Sequence, residues 1–493
     1  MSSLVKESWY EILITTIYII NFLSIINLIF REKRSIEATI AWVLVLTTAP
    51  AIGCIFYLVF GRGISKDNMF KIKKAEDKIL KENIIDTQIK LERNDNLAPD
   101  LIEYKDMIYA LANSNNSNFT TNNDVQIYPE PSDFFDSLLE DLKKAKKYIN
   151  IQFYIFKDDE IGNKIMDILI DKAKSGVEVR LLYDAVGSKF FSDKSVLKLK
   201  KSGVKVAAFF PSFLKIINFN LNYRNHRKLV IIDGEVGFIG GNNVGDEYLG
   251  KNPKFGYWRD THLKIIGDSV RDLNIRFILD WRYTTKEDLV LNKYFNIEEL
   301  SNLNSKATDN IGVQIVSSGP DISELDEIKY GYIKMIQKAK KYVYIQTPYF
   351  ILDKTLTDTL KIACFSGVDV RIMIPGKPDH PFVYDASSSY AGELLKYGAK
   401  LYNYNHNAFL HAKAVVVDDC VCSIGTANFD IRSFELNFEI NAFIYSSKMA
   451  KKQREIFEND ILKSKEITLD MYNSRSRYVR IKESISRLVS PIL

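Results

Sequence analysis

The sequence predicts an α/β protein: two repeats, each a mixed sheet flanked by helices, packed about a pseudo-twofold axis and preceded by a two-helix transmembrane hairpin. Three observations predict it. Landmark segments occur twice in the same order, short β-branched runs alternate with helical stretches inside each copy, and two long apolar runs open the chain. At 493 residues the chain is long enough for more than one domain and has ample apolar content for a core. Its net charge of +5 is only mildly basic and does not point to nucleic acid. The four cysteines, Cys54, Cys364, Cys420 and Cys422, form no C-x-x-C pair. They read as reduced buried thiols rather than zinc ligands or disulfides.

The hairpin comes first. Ile12 to Phe30 is nineteen residues of nearly unbroken apolar character, and Ile40 to Phe60 is twenty-one, interrupted by Thr47, Thr48, Pro50 and Gly53. A helix needs about 20 such residues to cross a bilayer. A signal peptide fits neither the length of the first run, nor the missing small-residue cleavage site, nor the second run. The turn Arg31-Glu32-Lys33-Arg34 carries three basic residues, against six on the outer flanks (Lys6, Arg62, Lys66, Lys71, Lys73 and Lys74). That bias puts the N-terminus and the large C-terminal region in the cytoplasm. From Phe70 to Leu91, apolar residues fall among lysines at roughly helical spacing. This predicts a basic amphipathic helix, either lying on anionic headgroups or packed as a connector. The Asn-rich stretch Asn113 to Asn123 reads as a flexible boundary. The division expected is 1–64 for the hairpin, 65–123 for the linker, 124–304 for the first repeat and 305–493 for the second with its basic C-terminal segment.

The repeats follow. Lys144-Ala145-Lys146-Lys147-Tyr148 through Gln152 recurs from Lys338 to Gln346, an offset of 194, and Ser175-Gly176-Val177 recurs as Ser366-Gly367-Val368, an offset of 191. His226 and His411 are offset by 185. Landmarks in constant order at nearly constant spacing define a tandem duplication. The drift leaves about nine extra residues in the first copy, within Pro211 to Tyr223. Ile149–Phe156, Val177–Tyr183 and Leu229–Ile232 read as strands, and Ile161–Lys174, ending near Gly176, as a helix. Strands alternating with helices imply a mostly parallel or mixed sheet with helices on both faces.

The chemistry sits in a pattern written twice. His226-Arg227-Lys228 followed by Asp233, and His411-Ala412-Lys413 followed by Asp418, both read H-x-K-x-x-x-x-D. Each is followed by a Gly-containing tetrapeptide ending in Asn, Gly240-Gly241-Asn242-Asn243 and Gly425-Thr426-Ala427-Asn428. The chain has five histidines, and two hold equivalent places. His and Lys two apart on a strand point to one face. Two imidazoles, two ammonium groups and two carboxamides suggest one symmetric pocket for a phosphodiester. Lys228 and Lys413, with the amides of Asn242 and Asn428, neutralise and position the non-bridging oxygens. One imidazole attacks phosphorus, and the other protonates the departing alkoxide and then deprotonates the incoming hydroxyl. Asp233 and Asp418 belong to the motif, yet they fall at strand ends, where a turn-forming role is an equal reading. No metal-type cluster of Asp, Glu and His lies near either motif, so neither a metal nor a cofactor is expected. His262, His380 and His406 lack partners in the other copy and read as ordinary polar residues.

These two motifs resemble those of the phospholipase D superfamily, and the whole arrangement is similar to the bacterial cardiolipin synthases within it. The resemblance is carried by Asn225-His226-Arg227-Lys228, Trp258-Arg259-Asp260-Thr261-His262 and Gly425-Thr426-Ala427-Asn428-Phe429-Asp430. Glu37 to Trp42, Tyr57 to Arg62 and the ending Ser490-Pro491-Ile492-Leu493 extend it over essentially the whole chain. It implies two phospholipase D-like repeats and a transfer in which one phosphatidylglycerol donates its phosphatidyl group to a second, giving cardiolipin and glycerol. It also implies that His226 is the nucleophile, passing through a phosphohistidine, and that His411 is the acid and base. Relatives carry a carboxylate beyond the tetrapeptide that orients a histidine. Glu439 fits that place in the second copy and Asp260 in the first, and with Asn242 and Asn428 they complete the expected substrate-binding group. Where the family has a serine in the tetrapeptide, this chain has Gly241 and Thr426, so the first side lacks one hydroxyl.

The partners expected are phosphatidylglycerol and anionic membrane lipids, with no nucleic acid. Pro211 to Tyr223 holds seven apolar or aromatic residues and one lysine just before the first motif. It reads either as a loop dipping into the bilayer or as a buried helix capping the sheet. Arg475, Arg477, Arg480, Lys482 and Arg487 bind anionic headgroups or form a solvated helix face. Competing functions are a hydrolytic phospholipase D, a transferase using another alcohol, a nucleic-acid phosphodiesterase and a membrane-tethered scaffold with a dead pocket. Two apolar spans oppose the third, and intact His and Lys in both copies oppose the last.

Overall fold

The duplication is visible as two sheets with the same strand order. A computed structural model describes residues 2–30, 36–57, 103–115, 117–211, 223–287, 307–320, 326–380 and 382–490. In the first repeat the strands are β1 (Asn123–Tyr128), β2 (Tyr148–Phe153), β3 (Glu178–Asp184), β4 (Lys205–Phe209), β5 (Leu229–Ile232), β6 (Val236–Gly240) and β7 (His262–Gly267). They are ordered β1-β7-β6-β5-β2-β3-β4 in a seven-stranded sheet. In the second they are β8 (Gly312–Ser318), β9 (Tyr342–Gln346), β10 (Asp369–Ile374), β11 (Lys400–Tyr404), β12 (Ala414–Val417), β13 (Val421–Gly425) and β14 (Glu439–Tyr445). Their order, β8-β14-β13-β12-β9-β10-β11, is the same, with Phe119–Thr120 and Ser464–Ile467 added at the edges. Both sheets are mixed. β2 runs parallel to β3 but antiparallel to β5, and β9 likewise runs parallel to β10 and antiparallel to β12.

Period-two alternation decides which sheet face meets what. On β5, Leu229 and Ile231 point inward, where they share one core with Val416, Ile424 and Ile440 of the second repeat. Val230 and Ile232 point outward against Phe134, Leu138, Ile165 and Leu169, the apolar stripes of helices Pro131–Lys144 and Glu160–Lys174. The second repeat does the same, with Val415 and Val417 packed on Ile328, Tyr332, Leu356 and Leu360. The two repeats are therefore joined through a shared apolar core.

Asp233 and Asp418 occupy the β5–β6 and β12–β13 turns in the left-handed region, at φ 56° and 53°. The Asp233 carboxylate accepts from the amides of Lys146, Lys147 and Tyr148, at 2.8, 2.6 and 2.9 Å. Asp418 accepts from Lys340, Lys341 and Tyr342 in the same way. Each aspartate thus ties a hairpin to the start of the neighbouring strand, which is why it follows the motif at fixed spacing.

Two expectations meet differences. Helix Lys105–Asn115, within the stretch read as linker, buries Met107, Ile108 and Leu111 in the second repeat's core. The Asn-rich boundary is not loose where it ends: the buried Asn123 side chain donates to the Thr120 and Ile311 carbonyls and accepts from the Ser269 amide. The basic amphipathic helix expected over 70–91 lies outside the described residues, as does the apolar segment 212–222.

At the N-terminus, helix Ser2–Phe30 contains one stretch, Trp9–Phe30, long and apolar enough to cross a membrane. The second apolar run is not one helix but two, Ile36–Thr48 and Pro50–Phe56. Pro50 has no N–H to give the Leu46 carbonyl. Asn21 of the first helix supplies the missing donor, its amide reaching Leu46 O at 3.1 Å and Pro50 O at 3.0 Å. At the other end, helix Arg477–Val489 has inverted polarity. Glu483 and Ser486 are buried, while Tyr478, Ile481, Ile485 and Leu488 are at least half exposed. Arg475, Lys482 and Arg487 are engaged in ion pairs with Glu483, Asp385 and Glu393.

Because each turn aspartate satisfies three amides, Asp233→Ala or Asp418→Ala is expected to cost roughly 1–3 kcal/mol of stability. Thermal unfolding of the two variants measures it, and an unchanged midpoint refutes the turn-lock assignment.

Candidate active site

Both motif histidines follow a short segment that pairs with the other repeat, Asn225 in the first copy and Ala408–Leu410, alongside Tyr257–Arg259, in the second. Asn225 bridges to Phe438, the His226 amide donates to Phe438 O at 2.9 Å, and the His411 amide donates to Arg259 O at 2.7 Å. The residue after each of those carbonyls is a carboxylate. His226 Nδ1 lies 3.0 Å from both Glu439 oxygens, and His411 Nδ1 lies 2.7 Å from Asp260 Oδ2. Each imidazole is therefore oriented by the repeat to which it does not belong. An ionised carboxylate only accepts, so the proton sits on Nδ1 and Nε2 keeps a lone pair.

The carboxylates are matched to their surroundings. Burial opposes ionisation of Glu439, but His226, Lys228 and the Thr426 hydroxyl hold it below the usual carboxylate range. Thr426 Oγ1 donates to Glu439 at 2.6 Å. On the other side a Cβ on Gly241 would stand 2.0 Å from Asp260 Oδ1. The missing hydroxyl of the first tetrapeptide is thus space taken by Asp260, which accepts from the Thr261 amide instead. Burial opposes ionisation of Asp260 too, and Lys413 and His411 hold it low.

Lys228 and Lys413 are buried and donate to the carbonyls of His226 and His411. Lys413 Nζ is also 2.8 Å from His411 Nδ1. Burial pushes Lys413 down to about 8 and Lys228 well below the ordinary lysine value, despite Glu439 and Asp260. Burial likewise pushes His226 down to about 4 and His411 to about 3. Both rings are therefore neutral at neutral pH.

His226, His411 and Asn428 open together into a cavity of about 560 Å³. Tyr154 stands edge-on to His226, with ring centroids 5.0 Å apart, and Trp258 lies 5.1 Å from His411. Of the other residues singled out in the sequence, several lie elsewhere. Asp233 and Asp418 are corrected from catalytic groups to turn locks, since their carboxylates are spent on backbone amides outside the cavity. Asp260 and Glu439 do not line it either and hold the rings from behind rather than contacting substrate. Asn242 is corrected as well. The 185-residue offset makes Asn243 the counterpart of Asn428, and Asn242 is buried and does not line the cavity. Asn243 itself accepts from the Ile155 amide at 3.1 Å and donates to the Tyr248 hydroxyl at 3.2 Å. His262 stacks on Phe134, with centroids 3.8 Å apart, whereas His380 lines the cavity mouth.

Sequence reading missed the supports. Arg227 forms a buried pair with Asp280 at 2.7 Å and donates to Glu439 O at 3.1 Å. The second motif has Ala412 at that place, and Arg259, from the facing strand, supplies the guanidinium to Asp460 at 2.9 Å. Gln152 and Gln346 donate to the same two aspartates, at 2.9 and 2.8 Å. The only sequence signal was that both glutamines end the duplicated Lys-Ala-Lys-Lys segment. Arg224, Arg432, Tyr349 and Asp379 also line the cavity without having been singled out.

Comparison with known proteins agrees with this architecture. A family model described as "Cardiolipin synthase, PLD-like domain" matches residues 138–255 and 332–461, and "Phospholipase_D-nuclease N-terminal" matches 19–62. The chain is 47% identical over 486 residues to a cardiolipin synthase of Oceanobacillus iheyensis, covering 98% of this chain and 99% of that one. It is 49% identical over 487 residues to the major cardiolipin synthase of Bacillus subtilis, with the same coverage of both chains. Among solved structures, a phosphatidylserine synthase of Haemophilus influenzae superposes with a TM-score of 0.57 at 17% identity, over 78% of this chain and all of that one, a likeness of fold.

The depressed histidine values have a testable sign. Both rings stay neutral in the folded state while an unfolded histidine charges near 6.5, so their contribution to stability is present above about pH 6.5 and is lost as pH falls toward 4. With ¹⁵N-labelled histidine, the His226 and His411 rings should remain neutral, protonated on Nδ1, from about pH 8 to about pH 5. A midpoint near 6.5 for either ring would contradict the burial argument.

Proposed function

The chain belongs to the cardiolipin synthases of the phospholipase D superfamily, and from that premise we propose how this phosphatidyltransferase works. Two phosphatidylglycerol molecules give cardiolipin and glycerol, with His226 as nucleophile and His411 as acid and base. The observation that carries this reading is that both imidazoles open into one cavity while a carboxylate of the opposite repeat occupies each Nδ1.

In the first half-reaction His226 Nε2 bonds to phosphorus as the bond to the glycerol oxygen breaks, and His411 gives that oxygen its proton. The phosphodiester anion and Asp260 raise the proton affinity of His411 when substrate fills the site, so its Nε2 takes up a proton from solvent with the substrate and that proton goes to the departing glycerol oxygen. In the second, a hydroxyl of another phosphatidylglycerol loses its proton to His411 and bonds to phosphorus, and the phosphorus–nitrogen bond breaks. Lys228 and Lys413, whose charges act on both rings, offset the charge on the phosphoryl oxygens. Asn428, which opens into the same cavity, donates to one of those oxygens. Carboxylates fixed on both Nδ1 atoms keep His226 Nε2 aimed at phosphorus and His411 Nε2 at the leaving and incoming oxygens without reorganisation.

The N-terminal segment anchors the enzyme in the membrane, and we read it as a two-span hairpin with the catalytic repeats on the cytoplasmic side, on the basic-residue bias of its flanks.

Purified enzyme in detergent with phosphatidylglycerol as sole lipid is expected to release glycerol and form cardiolipin. Phosphatidic acid as the main product would instead mark a hydrolase. His226→Ala should lower turnover roughly 10³-fold or more and abolish the acid-labile phosphoenzyme. A labelled intermediate that survives in His226→Ala and vanishes in His411→Ala would reverse the two roles.

A further inference from the structure

The pseudo-twofold relation that pairs the histidines fails at one edge of the cavity. Lys228 and Lys413 are exchanged by the 185-residue offset, so a phosphorus held between the rings meets one ammonium from each repeat. Arg224 and Arg432 also line the cavity, and they are not each other's counterparts. The same offset takes Arg224 to Phe409 and Arg432 to Glu247. Phe409 is buried against Trp258, and Glu247 is paired with Lys157 at 2.7 Å. The positions that mirror the two arginines thus hold a buried ring and a paired acid, so the arginines have no cationic counterparts across the pseudo-twofold.

The two guanidiniums are close enough to act on each other. Burial first, and then the charge of Arg224, holds Arg432 below the ordinary arginine value. Asp184 feels the charge of Arg224, and Asp430 that of Arg432. Asp184 accepts from the Val186, Gly187 and Asn225 amides, and Asp430 caps its helix through the Ser433 amide at 2.7 Å. Burial pushes both carboxyls up, Asp430 to about 6, against the pull of the neighbouring arginines. Two like charges held together in a desolvated wall are stabilised when an anion enters between them. Guanidinium pairs suit a phosphate because each presents a planar fork of donors.

We propose that Arg224 and Arg432 form a second phosphate subsite, off the pseudo-twofold axis, that takes the phosphodiester of the accepting phosphatidylglycerol. This rests on the cardiolipin synthase reading. The donor lipid has one phosphate, and that one is the reacting centre between the imidazoles. The acceptor brings a second phosphate, a glycerol length away from its attacking hydroxyl, and no symmetric pair of groups is needed to hold it. The subsite favours a lipid alcohol with a phosphate over water or a small neutral alcohol, and so biases the enzyme toward transfer.

The test is competition on one donor. Full-length enzyme in detergent is given phosphatidylglycerol together with ethanol, and cardiolipin and phosphatidylethanol are both quantified. In Arg224→Gln and Arg432→Gln the ratio of cardiolipin to phosphatidylethanol is expected to fall roughly tenfold or more, with phosphatidylethanol formation within about threefold of wild type, and Arg→Lys to restore part of it. A parallel loss of both products would place the arginines on the reacting phosphate or in folding, and an unchanged ratio would leave them without a role in the acceptor; either overturns the subsite. Wild-type enzyme that forms phosphatidylethanol but no cardiolipin would instead sink the functional reading itself.

Discussion

The exchange of carboxylates between the two repeats is the contact on which the rest of the site depends. Asp260 holds His411 and Glu439 holds His226, each from the facing sheet. A buried imidazole left alone has two tautomers and a broad range of ring angles. A carboxylate on Nδ1 removes the choice, and it does so with a group that burial alone would neutralise. Ionisation of the two acids is retained because Lys228 and Lys413 are buried with them. The four side chains and two rings form one balanced electrostatic unit, and the apolar core shared by the sheets fixes its geometry. Neither repeat contains a complete unit by itself.

The symmetry is kept in function but not in identity. Where the first motif contributes Arg227 to Asp280, the second has Ala412, and the facing Arg259 reaches Asp460 in its place. Buried aspartates on helices Ser269–Thr285 and Ser447–Ile461, which pack into the shared core, thus obtain a guanidinium from different directions. The same exchange explains the tetrapeptides: a longer Glu439 stands beside a Thr426 hydroxyl, and a shorter Asp260 fills the volume that Gly241 leaves open. Once duplicated, the two halves diverged in residue type while the contacts around each ring were preserved.

Much of this was legible from residues alone, and the reason is specific. The repeat, its strands and the two histidines announced themselves because each landmark was written twice. Reading by pairs also set the limits. The tetrapeptides end in Asn243 and Asn428, which the histidine offset also pairs, so singling out Asn242 ran against the register of the repeat. The motif aspartates were grouped with the chemistry because they share its spacing, yet that spacing measures the length of one strand and its turn. Which carboxylate meets which ring is a matter of contact between repeats and leaves no local trace. Arg224 and Arg432 occur without counterparts, so a search for repeated residues passed over them. The inverted helix at Arg477–Val489 escaped notice because charge marked it, whereas its apolar residues face outward.

The break at Pro50 carries a consequence for the N-terminal segment. In hydrocarbon, the carbonyl of Leu46 has no water to turn to, and an unmet one costs several kcal/mol. Its donor is a side chain on a different helix, Asn21. Lateral separation of the two apolar helices would strand that oxygen in any apolar surroundings, so the Asn21 contact latches them together. With Leu28, Trp42, Leu46 and Tyr57 packed together, the segment is a small folded unit rather than two independent apolar helices.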